Sequence, residues 1–162
     1  MDRQQTIDKA VEAAKTAQIR DDVCSRSVLV GLRAVFDEIP DEMITASLSL
    51  LGGTGAASGS CGAYCAGLLG VGLKYNHSIE EEQANPAVMI EGIQKAVEYR
   101  NRFIEARGTV LCPLLHEQLF GRSYVFTDPE QEKEFLTLEG HEVKCAEIVG
   151  EATRIAAEMI LP

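Results

Sequence analysis

Eight side chains in this sequence can bind soft metals or exchange sulfur bonds: Cys24, Cys61, Cys65, Cys112, Cys145, His77, His116 and His141. Three pairs among them, Cys61/Cys65, Cys112/His116 and His141/Cys145, lie four positions apart. On a helix such residues share a face, with Cβ atoms roughly 5–6 Å apart. That spacing suits two ligands on one metal, as in the paired histidines of zinc-protease helices. It is too wide for an unstrained disulfide, whose Cβ atoms stand about 3.5–4.5 Å apart. A disulfide partner for Cys61 would therefore come from another helix. Each histidine alone also suits a hydrogen-bonded structural role, and a free cysteine can be a small core residue. No C-x-x-C occurs, so the short zinc signatures are absent and covalent haem is not expected.

Where the cysteines fall relative to helix starts adds to this. Asp21 and Asp22 offer an N-cap two or three residues before Cys24, and Ser58 or Ser60 can cap a helix with Cys61 in its first turn. Cys112 precedes Pro113, which puts it at or near an N-cap, and Cys145 lies about one turn into the last helix. Helix N-termini carry partial positive charge and free N–H groups, which favour a thiolate. The expectation is a site where Cys24, Cys61, Cys112 and Cys145 converge, with Cys61 the attacking thiol if the chemistry is disulfide exchange. Cys65, His116 and His141 are additional candidate ligands.

The elements that would position these residues are helical, and no strand alternation stands out. Periodicity predicts helices over 4–19, from Asp22 to about Glu38, and from Asp41 to near Leu51. Others follow over 60–75, 86–107, 112–121 and 141–160, and 127–138 is a candidate for one more short helix. The expected fold is an all-α bundle of six to seven helices in a single domain over 1–162. A Gly-rich helix forms its centre, residues 1–20 form an N-terminal helix, and 22–160 hold the cysteines.

The segment GGTGAASGSCGAYCAGLLGVGL (52–73) holds eight glycines and no charge. It lacks the lysine of a phosphate loop and follows a helix rather than a strand. Its dense apolar part, Cys61 to Leu73, is too short to span a bilayer. Ala63, Gly67 and Gly70 recur at helical spacing, as expected of a buried helix that neighbours approach closely. Acidic residues outnumber basic ones 25 to 15, which argues against nucleic acid as a partner. The N-terminal MDRQQTIDKAVEAAK has no apolar signal core, so a cytoplasmic location without a disulfide framework is expected.

With CGAYCAG at 61–67, Cys24 in VCSRSVLVGL, Cys112 in CPLLHEQLFG and Cys145 in KCAEIVGEATR, the chain resembles the C-GCAxxG-C-C family. Its members are called redox-active largely on their cysteines. Two features depart from the pattern: Ala66 stands where the motif's last glycine belongs, with Gly67 one place later, and Cys65 is an extra thiol. A similar domain looks to be part of some multihaem cytochromes, which implies electron transfer or an iron–sulfur centre. The resemblance implies a redox protein whose four cysteines are cluster ligands or a dithiol–disulfide couple. Its partner would be a redox protein or a small-molecule thiol or electron donor, and self-association is left open. The alternative is a non-catalytic subunit of a larger complex that binds zinc or iron.

Overall fold

Apolar residues at three- and four-residue spacing dictate helices, and the computed structural model, which describes residues 2–162, contains nine among them. They are α1 (Arg3–Asp21), α2 (Cys24–Arg33), α3 (Asp41–Ala46), α4 (Gly62–Tyr75), α5 (Ile79–Ala84), α6 (Met89–Arg107), α7 (Cys112–Phe120), α8 (Pro129–Thr137) and α9 (His141–Ile160). The fold is all-α, with more helices than the six to seven expected. Among the described residues no helix is long and apolar enough to cross a membrane.

Several boundaries differ from the sequence reading for local reasons. The second helix ends at Arg33, because the chain tightens into a turn in which Phe36 N–H donates to the Leu32 carbonyl, and Phe36 is buried. The third shortens to Asp41–Ala46 and continues as a 3₁₀ turn, Ser47–Leu50. Residues 86–88 are likewise a 3₁₀ turn, entered from an Asn85 cap, and α6 starts at Met89. Asp22 is not the cap of α2. It ends α1 in the left-handed region (φ 51°), its carboxylate bound to Gln18 and His141, while Val23 opens α2 without a side-chain cap. Neither Ser58 nor Ser60 caps α4, whose N-cap residue is Cys61 itself.

α1, α2, α4 and α9 pack on one another, and α6 closes against α4 and α9. Gly-rich α4 lies against three of these neighbours, and Gly67 shows why it must be so lean. A Cβ built there would stand 1.9 Å from the Tyr99 hydroxyl, so the α4 backbone is the surface on which fully buried Tyr99 rests. Tyr99 in turn stacks on Tyr64, with ring centroids 5.6 Å apart. The close approach expected of the motif's last glycine therefore occurs at Gly67, and Ala66 is an ordinary buried residue.

Ahead of α4 the chain is wound left-handed. Gly52, Gly53, Thr54, Gly55 and Ala56 have φ of 63°, 83°, 65°, 67° and 57°, and Ser58 follows at 56°. The turn is held by Thr54 N–H to Leu50 O (3.1 Å), Ala56 N–H to Leu51 O (3.1 Å) and Gly59 N–H to Gly53 O (2.9 Å). A side chain in this region costs about 1–2 kcal/mol per residue, so Thr54, Ala56 and Ser58 store strain that the surrounding packing must hold.

In urea denaturation, Gly67→Ala is expected to lose at least about 1–3 kcal/mol through overpacking against Tyr99. Ala56→Gly is expected to gain up to about 1 kcal/mol by relieving left-handed strain. A neutral Gly67→Ala would refute the close α4–Tyr99 contact.

Candidate functional site

The site begins with a backbone exchange between two helix starts. Cys61 N–H donates to Val110 O (2.7 Å) and Cys112 N–H to Gly59 O (2.9 Å), forming an isolated antiparallel bridge between Ser60 and Leu111. The N-termini of α4 and α7, and their cysteines, are thereby held side by side. Pro113 fits there because the second helical position needs no intrahelical N–H donor. Cys24 approaches from the start of α2. A Cβ on Gly62 would lie 2.8 Å from its sulfur and 2.5 Å from Leu50 O, so the first residue of α4 must be glycine for Cys24 to sit there.

Cys24, Cys61, Cys112 and Cys145 line one cavity of about 180 Å³. The bundle side is Gln18, Asp22 and Ile148, and the opposite wall is Leu115, His116, Leu119, Phe126 and Phe135 from α7, α8 and their connection. Among the described residues no lysine or arginine lines it, while Asp22 and Glu132 do. All five cysteines are free thiols. Among the described residues no three His, Cys, Asp or Glu side chains converge closely enough to hold a single metal ion. The four sulfurs surround a space rather than a point.

Burial governs their acidity. Desolvation, followed by repulsion from Cys61, pushes the Cys24 thiol up to about 12, and nearby N–H groups of Gly52, Ser25 and Ala63 only partly oppose it. Desolvation and then Cys112 push Cys61 up to about 12 against the N–H groups of Tyr64 and Ala63. Cys112 rises to about 12 through burial and then Cys24, and Cys145 is raised by burial and then by Cys24, Asp22 and the other two thiols. The N–H groups at the α2 and α4 starts do lower these values, as expected, but burial raises them by more. A helix terminus contributes about 0.3–2 kcal/mol, whereas a rise of three units is about 4 kcal/mol. Cys61 is 6% exposed, which also removes the exposure a disulfide attacker needs.

Two polar atoms at the cavity have no hydrogen-bond partner among the described residues: Gln18 Oε1 and His116 Nδ1, on residues 1% and 6% exposed. His116 Nε2 lies 3.8 Å from Cys112 Sγ. Burial pulls the His116 pKa down to about 4, so the ring is neutral. His141 does not line the cavity but reaches its edge through Asp22. Its Nε2 meets Asp22 Oδ2 at 2.8 Å and its Nδ1 the Leu138 carbonyl at 2.9 Å. Both partners are acceptors, an arrangement that favours hydrogen on both ring nitrogens. Burial opposes that charge, but Leu138, Asp22 and Glu142 outweigh it and raise the pKa.

The family model described as "Putative redox-active protein (C_GCAxxG_C_C)" matches residues 23–159, a span that takes in all five cysteines. The chain belongs to that family. No curated protein and no solved structure matches it. Within this C_GCAxxG_C_C chain, the four cysteines expected to converge line the same cavity, together with His116. Cys65 stands apart, its sulfur 3.6 Å from Thr54 Oγ1 and outside the cavity lining. Gln18, the Asp22 carboxylate and the wall residues Phe126 and Phe135 are site features that sequence reasoning missed. The one available signal was Gln18 and Asp22 at four-residue spacing just before Cys24.

These shifts fix the pH behaviour of the reduced, metal-free protein. A thiol raised from about 9 to about 12 on folding stabilises the fold fully below pH 9, and that contribution is lost as pH rises towards 12. His116, lowered from 6.5 to about 4, contributes above pH 6.5 and loses its share as pH falls towards 4. Denaturant midpoints measured across pH should therefore fall steeply above pH 9 and also below 6.5. Cys61→Ser should flatten the alkaline limb, and an unchanged limb would contradict the buried-thiol assignment.

Proposed function

We propose that the protein is an electron carrier whose Cys24, Cys61, Cys112 and Cys145 hold an iron–sulfur cluster in this cavity. The observation that carries this is the four thiols around one space with no lysine or arginine in its lining. Four buried thiolates there would be unstable without a counter-charge, and iron supplies it. The donor set is chemically that of a cluster, since four cysteine sulfurs are the common ligand set of [2Fe–2S] and [4Fe–4S] centres. When bound, such a cluster supplies one-electron chemistry. The chain's residues do the rest: N–H groups of Gly52, Ser25, Ala63 and Tyr64 favour negative sulfur, and Leu115, Phe126, Phe135 and Ile148 exclude water. The electron donor and acceptor would be redox proteins that dock near the cavity. Thiol–disulfide exchange is the weaker reading, because its attacking thiol would be buried and of raised pKa.

Anaerobic incubation of the apoprotein with ferrous iron and sulfide is expected to yield a coloured protein. Iron and sulfide should be retained in equal amounts, with a paramagnetic signal in one oxidation state. Cys24→Ser, Cys61→Ser, Cys112→Ser and Cys145→Ser should each lower iron retention, and Cys65→Ser should not. Retention of zinc in preference to iron, or equal loss in Cys65→Ser, would overturn the proposal.

A further inference from the structure

We propose that His116 is a dedicated hydrogen-bond donor to the Cys112 sulfur, acting through Nε2–H as a positioning residue that tunes the redox centre. This rests on the reading above for its redox consequence, but the hydrogen bond itself does not need the metal.

Three observations lead there. His116 lies one turn after Cys112 on α7, and its Nε2 is 3.8 Å from that sulfur. The ring is held against rotation: Phe135 stacks on it at 5.1 Å and 12°, and Phe120, Tyr124 and Phe126 meet it edge-on. Its other nitrogen, Nδ1, is buried without a partner among the described residues. A neutral imidazole carries one hydrogen, and the two tautomers differ in which atom is left alone. Placing the hydrogen on Nδ1 would bury an orphan N–H, which native proteins rarely tolerate, whereas an unfilled lone pair is the milder fault. The hydrogen therefore belongs on Nε2, facing Cys112.

A sulfur bound to metal has no proton of its own and can only accept, so the same tautomer serves the loaded centre. An N–H donor stabilises the more negative, reduced state of a cluster relative to the oxidised one. One electron is added by the reductant, and the hydrogen stays on Nε2. Neighbouring N–H groups of the backbone serve Cys24 and Cys61. At Cys112 a side-chain nitrogen, His116 Nε2, stands 3.8 Å from the sulfur. His116 is the side-chain counterpart of what the peptide supplies to the other two.

The tautomer is read directly by long-range ¹H–¹⁵N spectra of the ¹⁵N-histidine apoprotein at neutral pH. The expected pattern is Nε2–H with a bare Nδ1, and an Nδ1–H tautomer would overturn the proposal whether or not iron binds. In the reconstituted protein, His116→Phe should retain iron yet shift the reduced-to-oxidised equilibrium about tenfold towards oxidised, a fall of about 59 mV for one electron. His116→Gln, which keeps an N–H, should recover part of that shift and guards against a packing effect of Phe. Equal potentials in wild type and His116→Phe would refute the tuning role. Failure of the wild type to take up iron would instead sink the cluster reading and leave the tautomer result standing.

Discussion

Cys61 N–H donates to Val110 O, Cys112 N–H donates to Gly59 O, and through this exchange the α4 and α7 starts cannot separate. Much of the site depends on it. α7 carries Cys112 and His116, and its long connection to α8 carries Phe126, so the far wall of the cavity hangs from this bridge. The two donors would otherwise be orphan N–H groups, buried and costly at about 1–3 kcal/mol each. Satisfying them between helices rather than by a serine or aspartate cap is what brings two sulfurs together. The same arrangement leaves the N–H groups of Ala63 and Tyr64 near sulfur instead of near a capping oxygen.

The energetics of the cavity set burial against helix-terminus charge, and burial wins. Each thiol is favoured in its neutral form by several kcal/mol. Four such groups around one space therefore rest as neutral thiols. Asp22 and Glu132 deepen that preference, and the His141 ring is committed to Asp22. The arrangement therefore disfavours a free thiolate. A protein built to activate one thiol for attack on a disulfide would place it near solvent and near a cation.

Most helices were legible in the sequence because apolar spacing is local, whereas α5, which buries no residue, offered no apolar period to read. The faces of α1 through Ile7, Ala10, Val11 and Ala14, and of α9 through Ile148, Val149, Ile155 and Ile160, are buried as their periodicity implies, whereas Val143 of the same apolar pattern is exposed. Ends were less legible, since Asp22 looks like a cap and becomes a ligand of His141, 119 positions away. The four cysteines at the cavity were readable from their placement near helix starts and from the family pattern. Their acidity was not, because desolvation depends on side chains such as Leu115 and Phe135 that no local pattern ties to them. Gln18 was hidden for the same reason: on α1 it reads as a surface residue, yet it is 1% exposed at the cavity.

The left-handed turn is the least protein-like part of the backbone, and it is also where the chain meets Cys24. Leu51, Gly52 and Ala56 line the cavity, and the Gly52 N–H favours the Cys24 sulfur. Leu50, whose carbonyl accepts from Thr54, is also the group a Cβ on Gly62 would strike. The turn thus has two jobs that compete for one backbone: it must clear α4 for Cys24 and still deliver an N–H to it. A right-handed path would carry Gly52 and Ala56 elsewhere. Thr54, Ala56 and Ser58 accept strain because glycine at every position would leave the turn too floppy to aim a donor, and Thr54 returns part of the cost by donating to Ser60 O at 3.0 Å. That bond reaches the residue that forms the bridge to Leu111, so the strained turn, Cys24 and the paired helix starts form one connected unit.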